Sequence, residues 1–250
     1  MEGEISFQTS LEMKSNRHDF SIGPAFTFVK LLDGVGPSAN RYPVIQIDYQ
    51  IKSHLYEYYH SSPRTGYHMK VRSRSASKSL SANFNATRID FEATALLNLM
   101  QLDPPAVVLG LRTQAFTTLT RQNPSRFIEL PTEFRHFLGG ARNLRGFSRN
   151  EVPANSNGAL TSFYFGSELR FPYVIFGMMD LYVFHDLALV GENTTQLKST
   201  LFHSPGFGIR WGSPIGTFRA SFAHGFVLGT GSADEDLSHP QAYLSYGAEF

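Results

Sequence analysis

The sequence predicts an all-β fold: a transmembrane antiparallel β-barrel of about twelve strands, with one long extracellular loop folded into the lumen. Three observations carry this. Apolar and polar residues alternate with a period of two in segment after segment, as in Ile45-Gln46-Ile47-Asp48-Tyr49-Gln50-Ile51. Aromatic residues reach 14% while mean hydropathy is only −0.19, which fits a greasy outside around a polar inside. One long stretch without periodicity, roughly Arg121 to Gly158, separates strands on both sides of it.

The strands follow in order. Glu4 to Met13 is the first, ending in a polar turn at Lys14-Ser15-Asn16-Arg17, and His18 to Leu32 is the second, ending in the loop Asp33–Ser38. Ile45–Ile51 is the third, and Ser61-Ser62-Pro63-Arg64-Thr65-Gly66 turns the chain into Tyr67–Ser77. Arg88–Ala95 alternates with Arg88, Asp90 and Glu92 on one face; Asp103-Pro104-Pro105 turns it into Val107–Arg112. Beyond the long segment, Ser162–Phe171 puts Phe163, Phe165, Leu169 and Phe171 on one face and Glu168 and Arg170 on the other. Met178–Val190, Thr200–Trp211, Gly216–Leu228 and Gln241–Phe250 complete eleven strands, the last with Leu244, Tyr246, Ala248 and Phe250 on one face. Short turns alternate with longer loops, as in outer-membrane barrels, whose single-chain bacterial forms have even strand numbers. Eleven therefore leaves one more crossing to be expected before the first. A β-sandwich would need similar alternation, but the aromatic outer face and terminal Phe favour the barrel.

The composition narrows the alternatives. A chain of 250 residues is expected to be a single domain, 1–250. A net charge of +1 with 17% charged residues gives no electrostatic case for nucleic acid. The absence of Cys excludes a disulfide scaffold and a thiolate metal site, and it suits passage through an oxidising periplasm. No apolar run approaches the roughly 18 residues of a membrane helix; the nearest, Phe171–Phe184, is broken by Pro172, Gly177 and Asp180. Met-Glu-Gly-Glu has no signal-peptide character, and the expectation is that a signal peptide has been removed. The nine His show no paired metal spacing, and no nucleophile elbow, phosphate loop or dinucleotide fingerprint is present. Neither catalysis nor a cofactor or metal is expected, and the acidic run Asp234-Glu235-Asp236 reads as a solvated loop. The inward charges Arg88, Asp90, Glu92, Arg112, Glu168 and Arg170 read as the mixed interior of a plugged or narrow barrel.

Within the long segment stands Phe137-Leu138-Gly139-Gly140-Ala141-Arg142-Asn143-Leu144-Arg145-Gly146-Phe147. A glycine pair, an arginine and a glycine-aromatic step are suited to folding back into a lumen, with Arg145 finding carboxylates. Gly146 would open a backbone conformation closed to other residues, and Phe147 would pack under the tip.

Four motifs, in order and at the right spacing, resemble the C-terminal half of the outer-membrane insertase and two-partner-secretion barrel superfamily (the BamA-, TamA- and FhaC-like barrels). They are Gly139-Gly140 with Leu144-Arg145-Gly146-Phe147; Gly166-Ser167-Glu168-Leu169-Arg170; Phe184-His185-Asp186-Leu187-Ala188; and Gly206-Phe207-Gly208-Ile209-Arg210-Trp211 leading into Ser213-Pro214-Ile215-Gly216. The likeness is clear from about Arg121 to Phe250. Leu144 replaces the family's Val/Ile, and Ala188 its usual Gly. Family barrels have sixteen strands and receive clients on POTRA domains; this sequence has room for about twelve strands and no segment for POTRA domains.

The resemblance implies a bacterial outer-membrane location. It implies that the Arg145 guanidinium pairs in the lumen with Glu168 and Asp186. It makes the terminal aromatics, Tyr246 and Phe250, the signal read by the barrel-assembly machinery. It also implies assistance in outer-membrane protein assembly or polypeptide translocation through a lateral seam. The partners are then the lipid bilayer and client β-strands or a second copy of the chain. The alternative is a minimal porin-like or structural barrel, oligomeric or not, without insertase activity.

Overall fold

The structure, a computed structural model, describes residues 2–4, 7–30, 39–58, 64–80, 82–100, 102, 105–120, 130–154, 157–175, 179–213, 216–229, 237 and 239–246. Thirteen strands make one antiparallel sheet: β1 (Glu2–Glu4), β2 (Phe7–Glu12), β3 (Asn16–Lys30), β4 (Ala39–Ser53), β5 (Gly66–Ala76), β6 (Ala86–Asn98), β7 (Val108–Thr120), β8 (Thr161–Ile175), β9 (Met179–Gly191), β10 (Leu201–Ser213), β11 (Gly216–His224), β12 (Phe226–Leu228) and β13 (Pro240–Tyr246). Because β1 and β2 both pair with β3, and β11 and β12 both pair with β10, the sheet has eleven staves in meander order. These are the eleven strands read from the sequence, longer at most ends. The tenth is split at Gly225. A five-residue helix α1 (His54–Tyr58) follows β4, where no helical period is visible in the sequence.

Alternation fixes which face each residue takes. In β9, Asp180, Tyr182, Phe184, Asp186 and Ala188 are buried, while Leu181, Val183, His185 and Leu187 face outward. The outer face carries exposed Phe7, Phe163, Phe207, Trp211, Phe222 and Leu244, the apolar band that lipid requires. The connections at residues 13–15, 176–178 and 214–215 are the shortest, which assigns their end of the barrel to the periplasm.

Curvature is shown by what one loop touches. Segment 130–160 reaches β4 (Tyr42 hydroxyl to Glu133), β7 (Thr118 Oγ1 to Phe134 O, 2.8 Å), β8 (His136 Nδ1 and Ser162 Oγ, 2.5 Å), β9 (Arg145 to Asp186) and β13 (Tyr243 hydroxyl to Phe147 O). Only a sheet curled around the loop presents so many staves to it. The fold is a transmembrane β-barrel wall with its long loop in the lumen. At the external end Leu130 and Phe134 of the loop and Leu160 cluster with Tyr42, Val44, Ala76, Phe84 and Ala86, forming an apolar seal.

The interior is asymmetric. Facing β8–β11 it is filled by the loop, whereas the inner faces of β2–β5 border a polar cavity of about 350 Å³ lined by Arg17, Asp19, Asp48, Gln50, Lys70 and Arg72, among others. Arg72 Nε bonds Asp48 at 2.6 Å and Arg17 bonds Asp19 at 3.0 Å across this wall. Among the described residues no ladder joins the first stave to β13.

A charge on the outer face tests the membrane assignment. Val183→Arg, outward on β9, should destabilise the barrel in lipid vesicles by about 2–4 kcal/mol by denaturant titration, while Asn193→Arg in the external β9–β10 connection should leave the midpoint unchanged.

Candidate functional site

The loop enters the lumen by pairing with itself. Leu138 and Val152 exchange backbone bonds (2.7 and 3.0 Å), as do His136 and Ala159 (2.9 and 2.8 Å). Gly139 and Gly140 have φ of 113° and 107°, the left-handed region that glycine enters without a Cβ penalty. Asn143 then organises the turn, its Oδ1 accepting from the Gly139 N–H (2.9 Å) and the Leu144 N–H (2.8 Å). Gly140 N–H reaches Phe147 O at 2.9 Å, closing the tip.

At the tip Arg145, 4% exposed, is gripped by two carboxylates on adjacent staves. Nε and Nη2 donate to the two oxygens of Asp186 at 2.8 and 2.9 Å, and Nη1 donates to Glu168 Oε2 at 2.8 Å. The Arg145 backbone N–H adds a fourth bond, the third to Asp186 (3.1 Å), and the guanidinium lies over the Phe184 ring, 3.4 Å from its centroid. Burial works against the cation, but Asp186 and then Glu168 outweigh it and hold its pKa well above the usual value. The planar fork matches two carboxylates in a fixed orientation, so the tip is placed as well as held.

Around this pair stand further residues: sequence reasoning placed Arg170 inward and carried Arg210 only within a motif, and it did not single out Tyr164 or Arg219. Tyr164 Oη donates to Asp186 Oδ1 at 2.9 Å. Arg170 Nε donates to Glu168 Oε1 at 2.7 Å, and Arg219 Nη2 reaches Glu168 Oε2. Arg210 bonds Asp180 at 2.9 Å in the same buried layer. Each is an inward polar residue on an alternating strand, so the period marked its face; its partner came only from the register.

Gly146 is where expectation and structure part. Its φ is outside the left-handed region, so conformational freedom is not its use. Its use is space: a Cβ there would lie 2.5 Å from Gly225 N, and its N–H donates to Ser204 Oγ at 3.0 Å. Gly225 is the residue that splits β11 from β12, and a Cβ on it would lie 2.9 Å from the Phe147 ring. Phe147 itself is fully buried, edge-on to Phe202 (5.8 Å) in a cluster with Leu138, Leu144, Val152, Tyr164, Ala188 and Val190. Ala188 is thus apolar packing beneath the tip.

The remaining predicted residues lie apart. Arg88 bonds Asp90 (2.7 Å) and the Glu133 carbonyl, and Arg112 reaches the Arg142 carbonyl, both bracing the loop. Tyr246 is exposed on the outer face against Phe218 (5.1 Å). Phe250, residues 121–129 of the loop and Asp234-Glu235-Asp236 lie outside the described residues.

Sequence comparison matches the Omp85 superfamily domain over residues 59–250, further upstream than the motifs alone reach. Among solved structures, the crystal structure of BamA from Haemophilus ducreyi lacking POTRA domains 1-3 superposes with a TM-score of 0.64 at 12% identity. The match covers 97% of this chain and 53% of that one, so the chain spans about half that length, and at this identity the likeness is one of fold.

Two predictions test the site. Arg145→Met leaves Glu168 and Asp186 short of a buried partner and should cost about 3–5 kcal/mol, read as a lower unfolding temperature of the refolded barrel; adding Asp186→Asn should restore part of the loss. The second concerns His136, stacked on Phe116 at 4.5 Å, whose pKa burial lowers from 6.5 to about 4, with Arg88 adding to the shift and Asp90 opposing it. A lowered folded-state value means no loss above pH 6.5 and a growing loss down to about pH 4, where it levels off. Roughly 2 kcal/mol should be gone by pH 5, seen as faster proteolysis of the loop, and His136→Phe should flatten that dependence.

Proposed function

The chain belongs to the Omp85 superfamily, and on that premise we propose that it assists outer-membrane protein assembly or polypeptide translocation through a lateral seam between its first and last staves. In a bilayer every backbone polar group needs a partner, so an edge strand there is a surface that recruits another strand. The observation that carries the reading is that, among the described residues, β1/β2 and β13 each have a ladder on one side only.

The loop's part is to brace the wall beside that seam. Tyr243 of β13 donates its hydroxyl to Phe147 O, and Gln241 Nε2 donates to Ser148 Oγ at 3.2 Å. Through Arg145 the same tip is tied to β8 and β9. Client strands would then add by main-chain bonds, which require no particular side chain, and their sequences can vary.

A second reading is favoured by a different observation. The polar cavity along β2–β5 is the kind of interior a minimal porin-like barrel has, oligomeric or not, and the loop would then serve stability alone.

One experiment separates them. The purified chain in phospholipid vesicles should accelerate insertion of an unfolded outer-membrane barrel over empty vesicles, measured by protease protection, and Arg145→Met should reduce the rate. No acceleration, together with steady ion conductance in planar bilayers, would leave the second reading.

A further inference from the structure

Two imidazoles face outward where the wall should meet hydrocarbon. His185 lies on β9 between Val183 and Leu187, and His203 on β10 between Leu201 and Pro205, all outward by the alternation of their strands. At the periplasmic end of the same wall Trp211, Phe218 and Tyr246 form an aromatic cluster, and Trp211 stands opposite Met179. Counting along β10 from Trp211 and along β9 from Met179, His203 stands about 20 Å and His185 about 15 Å above that level, at the usual strand rise and tilt. An apolar band is about 25 Å tall, so both lie in its external half. Leu187, Leu189 and Leu201 continue the apolar surface toward the external rim.

The bilayer core offers no water, so a polar group at that depth needs a protein partner. The two rings supply half of what they need to each other. His185 Nε2 and His203 Nδ1 stand 3.3 Å apart in a hydrogen bond, with the ring planes at 87°. His203 is also stacked on Phe226 of β12 (5.1 Å, 19°), which packs against His224 (4.5 Å), so the pair is held in one orientation. A neutral imidazole carries one donor and one acceptor. Whichever ring donates, one N–H and one lone pair remain, on His185 Nδ1 and His203 Nε2, and neither atom has a partner among the described residues. Among those residues no group of three His, Cys, Asp or Glu is placed to hold a metal, so chelation within the chain does not use these atoms.

One spare donor beside one spare acceptor is a self-complementary surface. A two-fold axis along the membrane normal keeps two copies inserted in the same sense, and it brings the donor of each to the acceptor of the other. Lipid tails are as apolar as Val183, Leu187 and Phe207, so those side chains gain little by meeting protein. The imidazole pair gains two hydrogen bonds that lipid cannot offer. We infer that the outer face of β9 and β10 is a docking surface for a second copy of the chain, and that His185 and His203 are its hydrogen-bonding centre. The contact lies away from the seam and is compatible with either reading of the function.

The chain contains no Cys, so Thr195→Cys, exposed in the external β9–β10 connection, takes a single donor or acceptor dye. The two labelled forms of the untagged full chain are reconstituted together in phospholipid vesicles with EDTA present, and energy transfer is followed as lipid is added. The expected result is transfer that persists on dilution and fits a dimer. His185→Leu together with His203→Leu should shift the midpoint of the dilution curve roughly tenfold toward monomer. Leucine suits a lipid-facing position, so this variant should fold, with an unfolding temperature no lower than the parent's. Val183→Ala, which trims the same face but leaves the imidazoles, should keep the parent's curve. Transfer at the level of random encounter in the parent would overturn the inference, and so would a double-leucine variant that associates as well as the parent. Association that needs added zinc in place of EDTA would make the contact metal-bridged and would overturn it too.

Discussion

The grip of Arg145 on Asp186 and Glu168 is the constraint on which the rest of the lumen depends. It crosses from a loop to two neighbouring staves, with four donated bonds at 2.8–3.1 Å. Such a buried group adds little net stability over an apolar core, because desolvation offsets most of the attraction. What it adds is position. A guanidinium fork cannot slide along two carboxylates as an apolar side chain slides along a wall, so Gly146 and Phe147 arrive at one place, against Ser204, Gly225 and Phe202.

From that placement the asymmetry of the barrel follows. The inner face from β8 to β11 is buried beneath the loop tip and the Arg170, Arg210 and Arg219 side chains. The wall from β2 to β5 keeps its charges at the edge of a cavity, paired along the sheet and not across it. Externally the lumen is closed by an apolar cluster, to which the loop supplies Leu130 and Phe134. One segment is therefore plug, seal and brace together. By tying β13 to the interior it holds a strand that, among the described residues, has a neighbour on only one side.

An edge held in place has a different meaning from an edge left loose. A loose edge in a bilayer frays or collapses onto whatever is near. An edge whose inward side chains are already bonded presents its remaining backbone groups in strand geometry, and a newcomer need order only itself.

Much of this was legible in the residues. A period of two assigned Glu168 and Arg170 to the inside and Phe163, Phe165 and Phe171 to the outside, since alternation follows from backbone pleat alone, while Asp186 was placed inside by the family resemblance. The Gly139-Gly140 pair and the Arg145-Gly146-Phe147 step marked the loop that turns inward, because positive φ and a buried fork call for those residue types. Sequence could not show that Tyr164, Arg219, Ser204 and Gly225 complete the site, for each becomes a neighbour only through the register of ladders and the path of the loop. It also suggested a conformational role for Gly146, where tertiary structure decided a steric one: the strand break at Gly225 comes so close that no Cβ fits between. Chain chemistry by itself determined which side chains face water and which face lipid; only the curled sheet decided which of the inward ones meet.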